Sequence, residues 1–194
     1  MTSRRQKIIR ETRETTIRVD LDLIGTDRRQ IDTGIGMLDH LLDALACHAG
    51  WNLNLTCQGD LQVDDHHTAE DCALALGQAL DGCLGDRTGL IRFGHAYAPL
   101  EEALARAVID LASRPYACLD LQLERERLGG LSCENMPHIL RSLAMAGRFT
   151  LHVDVLRGDN DHHRAESAVK ALALAFRQAL APSNTNASTK GVLT

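Results

Sequence analysis

The feature that most constrains how this chain can fold is a duplication. Asp64-Asp65-His66-His67-Thr68-Ala69-Glu70 returns as Asn160-Asp161-His162-His163-Arg164-Ala165-Glu166, with both histidine pairs and both glutamates displaced by 96 residues. Each copy follows a lone histidine, His40 in Leu38-Asp39-His40 and His138 in Met136-Pro137-His138. With His48, close behind His40, these account for seven of the nine histidines, and only His95 and His152 lie outside. Self-similarity at a fixed offset marks a repeated supersecondary unit. The fold therefore has to set two like halves about an approximate two-fold axis, and duplicated ligands imply two metal positions.

At 194 residues the chain suits one compact domain or two tightly packed halves, with room for a sizeable core. Aromatics make up only 3%, so the core is expected to be Leu, Ala, Val and Ile. A net charge of −5 with mixed signs argues against a nucleic-acid surface. No apolar run approaches the roughly 20 residues of a membrane helix, and the basic residues 1–10 lack the apolar core of a secretory signal. Cys47, Cys57, Cys72, Cys83, Cys118 and Cys133 form no C-x-x-C pair, which argues against zinc-ribbon or thioredoxin chemistry. They are expected as reduced core thiols of a cytoplasmic protein.

Alternation and apolar runs predict strands over residues 8–12 and 16–23, then a short extended piece leading into Thr33. Helical spacing of Leu38, Leu41, Leu42 and Leu45 predicts a helix over 37–47. A half-buried strand over 51–57 follows, then a helix over 65–84 that carries the first cluster. The second half predicts strands over 93–99, 104–111 and 116–123, a helix over 133–147, a strand over 150–156 and a helix over 161–180. The order is β-β-β-α-β-α, twice. The expected class is α/β (α+β), with half-domains at 1–84 and 85–194 and their sheets packed on a shared helical layer. Residues 181–194 read as a flexible polar tail.

Asp65 and Asp161 precede their helices and are candidate caps. His66 and Glu70 are four apart, share a helix face and can grip one metal; His162 and Glu166 repeat this. His67 is turned about 100° from His66, so adjacent histidines tend to serve different ions. One ion can then take His162, Glu166, His67 and a lone histidine, and the other His66, Glu70, His163 and the second lone histidine. Spacing leaves open which lone histidine goes where. Three histidines and a carboxylate suit Mn²⁺, Fe²⁺, Co²⁺ or Zn²⁺. One such pair alone would more often be a surface feature; two clusters at equal offset with matching upstream histidines would not.

The chain resembles the imidazoleglycerol-phosphate dehydratase family of histidine biosynthesis, most closely its fungal branch. The resemblance rests on Asp32-Thr33-Gly34-Ile35-Gly36-Met37-Leu38-Asp39-His40, Gly59-Asp60-Leu61-Gln62-Val63, Gly94 after Ile91-Arg92-Phe93, Arg114-Pro115-Tyr116, Lys170 beyond the second cluster, and Ser188-Thr189-Lys190-Gly191. It implies dehydration of D-erythro-imidazole glycerol phosphate to imidazole acetol phosphate, with two Mn²⁺ ions per active site. His40, His67, His162 and Glu166 would hold one ion, and His66, Glu70, His138 and His163 the other. It also implies trimers assembled into a 24-subunit cage with active sites shared between subunits. The mechanism expected is an imidazolate bridging the ions, through which electrons of the C2–H bond enter the ring as the C3 hydroxyl departs.

Glu14 matches a family acid/base position, and Glu166 is a second candidate. Arg92, Arg114, Lys170, Ser188 and Lys190 match phosphate-binding positions, and His48 a substrate-site position. The chain departs from the family pattern at Ala44, where Gln is frequent, at Asp22-Leu23-Ile24-Gly25 and at Ala112-Ser113, none of which removes a ligand. Competing readings are a binuclear metallohydrolase and a non-catalytic metal-binding cage.

Overall fold

A computed structural model describes residues 4–184. Its first half runs β1 (Arg5–Glu11), β2 (Thr15–Asp22), β3 (Arg29–Asp32), α1 (Gly36–Ala49), β4 (Asn52–Gly59) and α2 (His66–Leu84). The second runs β5 (Phe93–Leu100), β6 (Ala103–Asp110), β7 (Tyr116–Asp120), a small hairpin of β8 (Arg127–Leu128) and β9 (Leu131–Ser132), α3 (Asn135–Ala146), β10 (Thr150–Arg157) and α4 (Asp161–Ala179). The repeat predicted from sequence is present, and the hairpin is an addition to it. Strands of two residues are too short to leave a periodic trace.

The halves share one topology. The first sheet has the order β1-β2-β4-β3 and the second β5-β6-β10-β7. Each is antiparallel except for one parallel edge pair, β3 with β4 and β7 with β10. That parallel pairing needs a crossover, which α1 and α3 supply. Ile17, Val19 and Leu21 of β2 and Leu53, Leu55 and Cys57 of β4 point inward, alternating with more exposed residues as a one-sided sheet requires.

The second sheet offers small inward residues, Ala103, Ala105 and Ala107, and α4 meets it with Ala168, Ala171, Ala175 and Ala179. Contact is close enough that a Cβ on Gly94 would lie 2.0 Å from Ala175 O, so only glycine fits there. The core is not purely aliphatic. Trp51 and Phe149 each place their rings 5.1 Å from Phe176, gathering half of the chain's six aromatics at its centre. All six cysteines are free; Cys57, Cys72, Cys83 and Cys133 are buried as expected, whereas Cys47 and Cys118 are exposed.

The helices pair across the halves: α1 packs on α4, and α2 on α3. Arg87, at the junction of the halves, locks this arrangement. Its buried guanidinium pairs with Asp81 and donates to the carbonyls of Leu111 (3.0 Å), Arg148 (2.6 Å) and Gly147 (3.0 Å). Replacing Arg87 with Leu strands those acceptors and is expected to cost about 3–5 kcal/mol, read as a lower urea midpoint at unchanged m-value.

Candidate metal centres

The starts of α2 and α4 are built alike, but not by the residues expected to cap them. Asp64 Oδ1 accepts from His66 N at 2.8 Å, and Asn160 Oδ1 from His162 N at 2.9 Å. Asp65 and Asp161 make no cap bond. They turn inward and tie down the segments that follow β7. Asp65 accepts from Ser132 N (2.6 Å), Ser132 Oγ (2.7 Å) and Asn135 Nδ2 (2.9 Å). Asp161 accepts from Glu124 N (2.8 Å), Arg125 N (2.7 Å) and Arg164 (2.8 Å). Burial pushes both carboxyls up, but these donors outweigh it and leave both below the usual range.

Two three-residue clusters result, each drawing on both halves. In one, His40 of α1 meets α4: His40 Nε2 is 2.9 Å and His162 Nε2 3.2 Å from Glu166 Oε2. In the other, His138 of α3 meets α2: His138 Nε2 is 3.1 Å from Glu70 Oε1 and His66 Nε2 3.7 Å from Glu70 Oε2. In each cluster the donor atoms lie within 4.8 Å of one another. His40 therefore sits with His162 and Glu166, and His138 with His66 and Glu70. His138 Nε2 is buried and, despite its approach to Glu70, makes no aligned hydrogen bond. A buried ring nitrogen without a hydrogen-bond partner, among convergent ligand atoms, fits a divalent cation.

His67 and His163 do not join these clusters within the chain. Their rings stand at 78° and 88° to those of His66 and His162, with centroids 6.0 and 6.2 Å away. Asp60 accepts from His67 Nδ1 at 3.0 Å, and Glu102 from His163 Nδ1 at 2.8 Å. Each carboxylate holds the ring through Nδ1 and leaves Nε2 for another partner, the usual arrangement behind a metal-bound histidine. Glu101 and Glu102 form a third acidic group with His163.

Hydrogen bonding to Asp60 raises the pKa of His67, and hydrogen bonding to Glu102 raises that of His163. Reciprocally, His163 first and then the Asn160 N–H push Glu102 down to about 2. A raised histidine value means that the ion pair is fully present below the ordinary value of about 6.5 and is lost as pH rises through the folded value. In metal-free protein the His163 ring is expected to titrate above that value by NMR, and Glu102→Gln to return it toward the ordinary one.

Among the substrate-site candidates, Lys170 Nζ lies 2.7 Å from Glu166 Oε1, directly behind one cluster. His48 follows on α1, its pKa lowered by burial and then by the charge of Lys170. Arg92 and Arg114 are elsewhere. Arg92 makes a two-pronged bond to Asp110 (2.7 and 3.0 Å), with Arg114 3.8 Å from the same carboxylate. The Arg92 N–H donates to Ala179 O at the far end of α4, about 25 Å along the helix from His162. One chain therefore does not bring these arginines to its own clusters. Ser188 and Lys190 lie outside the described residues. Glu14, at the β1–β2 tip, places Oε1 3.8 Å from His67 Nε2. Sequence reasoning missed Asp60, Glu102 and Asn135 as partners of the histidines: Glu102 and Asn135 reach theirs from more than sixty residues away, and Asp60, only seven before His67, lies in a loop with no periodicity to report it.

The imidazoleglycerol-phosphate dehydratase family model matches residues 33–176, three-quarters of the chain. This chain belongs to that family. All eight candidate metal donors fall inside the matched segment, and Glu14, Ser188 and Lys190 outside it. An imidazoleglycerol-phosphate dehydratase of Trichoderma harzianum is 55% identical, the match covering 87% of this chain and 92% of the relative. That of Saccharomyces cerevisiae is 61% identical over 84% and 75%. The dehydratase of Pyrococcus furiosus, solved in complex with (S)-C348, superposes with a TM-score of 0.83 at 34% identity, covering 95% of this chain and 99% of its own. The Staphylococcus aureus enzyme gives 0.82 at 31% identity, over 92% and 99%. The duplicated sheets and helices are thus a dehydratase-family fold.

Proposed function

We propose that this chain dehydrates D-erythro-imidazole glycerol phosphate to imidazole acetol phosphate in the cytoplasm, as a step of histidine biosynthesis, with two Mn²⁺ ions per active site. The observation that carries this is the pair of matched clusters, each a glutamate flanked by two histidine Nε2 atoms from opposite halves, in a chain of this family. Net removal of the C2 hydrogen and the C3 hydroxyl leaves an enol, which tautomerises to the ketone.

His40, His162 and Glu166 would hold one ion, and His66, Glu70 and His138 the other. When bound, the ions would supply Lewis acidity at the imidazole ring. A fourth donor for each, His67 or His163, comes from a neighbouring copy, because within one chain neither joins either cluster. The loop before His67 also exposes Leu61 and Val63, as a subunit contact would. The same assembly, in the proposal a 24-mer of trimers, carries Arg92 and Arg114 from one copy to the substrate phosphate near Lys170 of another, with Ser188 and Lys190 of the chain end as further partners. His48 lines the substrate side of α1.

Glu14 is the group placed to move protons. Its counterpart at the β5–β6 tip, Glu102, is committed to His163 and to the N–H groups of Asp159 and Asn160. Asp60 takes that holding role in the first half, which leaves the Glu14 carboxylate available. Burial would raise the Glu166 pKa, but Lys170 and His40 bring it down to about 2. Glu166 is thereby ionised at neutral pH, the form a metal donor needs.

Purified protein given imidazole glycerol phosphate should yield imidazole acetol phosphate without free phosphate. Release of phosphate instead would make the chain a metallohydrolase, and neither product a metal-binding cage.

A further inference from the structure

The two clusters are alike in donors but differ in what stands behind them. His66 Nδ1 lies 3.0 Å from Asn135 Oδ1, and the buried Asn135 in turn donates from Nδ2 to Asp65 Oδ2 at 2.9 Å. The Asp65 carboxylate only accepts, so it fixes the amide with its oxygen toward His66. His66 Nδ1 must then carry the proton, and its Nε2 lone pair is held toward Glu70 and His138.

The other cluster has no such relay. Met37 stands three residues before His40, where Asn135 stands three before His138. A thioether cannot replace the amide, and among the described residues nothing hydrogen-bonds His162 Nδ1. The carboxylates differ as well. Glu166 is already paired with the Lys170 ammonium at 2.7 Å, whereas the residue four after Glu70 is Leu74. An incoming cation must share Glu166 with a fixed positive charge but meets none on the same helix face behind Glu70.

We infer that the two ion positions of one chain are unequal: His66–Glu70–His138, oriented by the Asp65–Asn135 relay, fills first, and His40–His162–Glu166, opposed by Lys170, fills second. This rests on the metal reading above. Asn135 is a positioning residue and Lys170 an electrostatic opponent of the second ion, which a substrate phosphate would draw off Glu166.

The test is a Mn²⁺ titration of chelator-stripped full-length protein, with free ion followed by electron paramagnetic resonance. Wild type should show two classes of site separated by about 10-fold or more, since partners behind a metal-bound histidine are worth 10–100-fold in affinity. Asn135→Met, which copies the other half, should weaken the tight class by about 10–100-fold and spare the weak one. Lys170→Met should tighten the weak class. A folding defect cannot tighten binding, so this variant decides the matter even if Asn135→Met fails to fold. One class in wild type, or a tight class indifferent to Asn135→Met, or a weak class indifferent to Lys170→Met, would overturn the inference while leaving the two-ion reading intact. No Mn²⁺ uptake at all would overturn both.

Discussion

Glu14→Gln is expected to lower kcat by about 10²–10⁴-fold, the usual worth of a positioned acid/base group, while Mn²⁺ uptake stays at the wild-type level. The expectation comes from the asymmetry of the two hairpin tips. Glu102 spends its carboxylate on His163 and on two backbone N–H groups, so its removal would disturb a ring. Glu14 sits 3.8 Å from His67 Nε2, a ring already held from its other side by Asp60. Glutamine keeps the size of the side chain and loses only its capacity to take and return a proton. The loss should appear in kcat and kcat/KM alike, as for an interaction made in the transition state. An unchanged kcat would move the acid/base role away from Glu14.

A comparably large effect is expected when ligands are removed from different chains. His40→Ala and His67→Ala should each be nearly inactive, since losing a donor forfeits several kcal/mol of charge stabilisation, about 10²-fold or more in rate. Co-expressed, the two inactive chains should recover activity. If His67 serves the His40–His162–Glu166 cluster of a neighbour, random mixing leaves about a quarter of the sites with both donors intact. Co-assembled oligomers without recovered activity would place His67 at its own chain's cluster. The same mixing applied to Arg92→Ala and Lys170→Ala asks whether the phosphate site is shared in the same way.

Much of this molecule is legible in its sequence because its signals are local. The four-residue spacing of His66 and Glu70, and of His162 and Glu166, follows from helix geometry, and both pairs meet as that geometry requires. The alternation in β2 and β4 reports a sheet with one buried face. What the sequence hides depends on contacts between distant segments. Asp65 occupies the cap position, yet its carboxylate is drawn to Ser132 and Asn135, about seventy residues away, while Asp64 supplies the bond to the His66 N–H. Nothing in the spacing announces that α1 will pack on α4 rather than beside α2, which is what makes each cluster a joint product of both halves. The scarcity of aromatics points to an aliphatic core, and composition cannot tell that Trp51, Phe149 and Phe176 meet at its centre. Arg92 and Arg114 match family phosphate positions in sequence, yet Arg92 bonds Ala179 O at the far end of α4 from the clusters, a placement that no spacing reports.

Chelator-stripped protein incubated with imidazole glycerol phosphate, with and without added Mn²⁺, tests the central claim most directly. Imidazole acetol phosphate should form only with the ion, and His138→Ala, which removes a buried donor from one cluster, should abolish the Mn²⁺ response. Product formed equally well in the stripped protein, or no product from a folded protein with Mn²⁺ bound, would contradict the account.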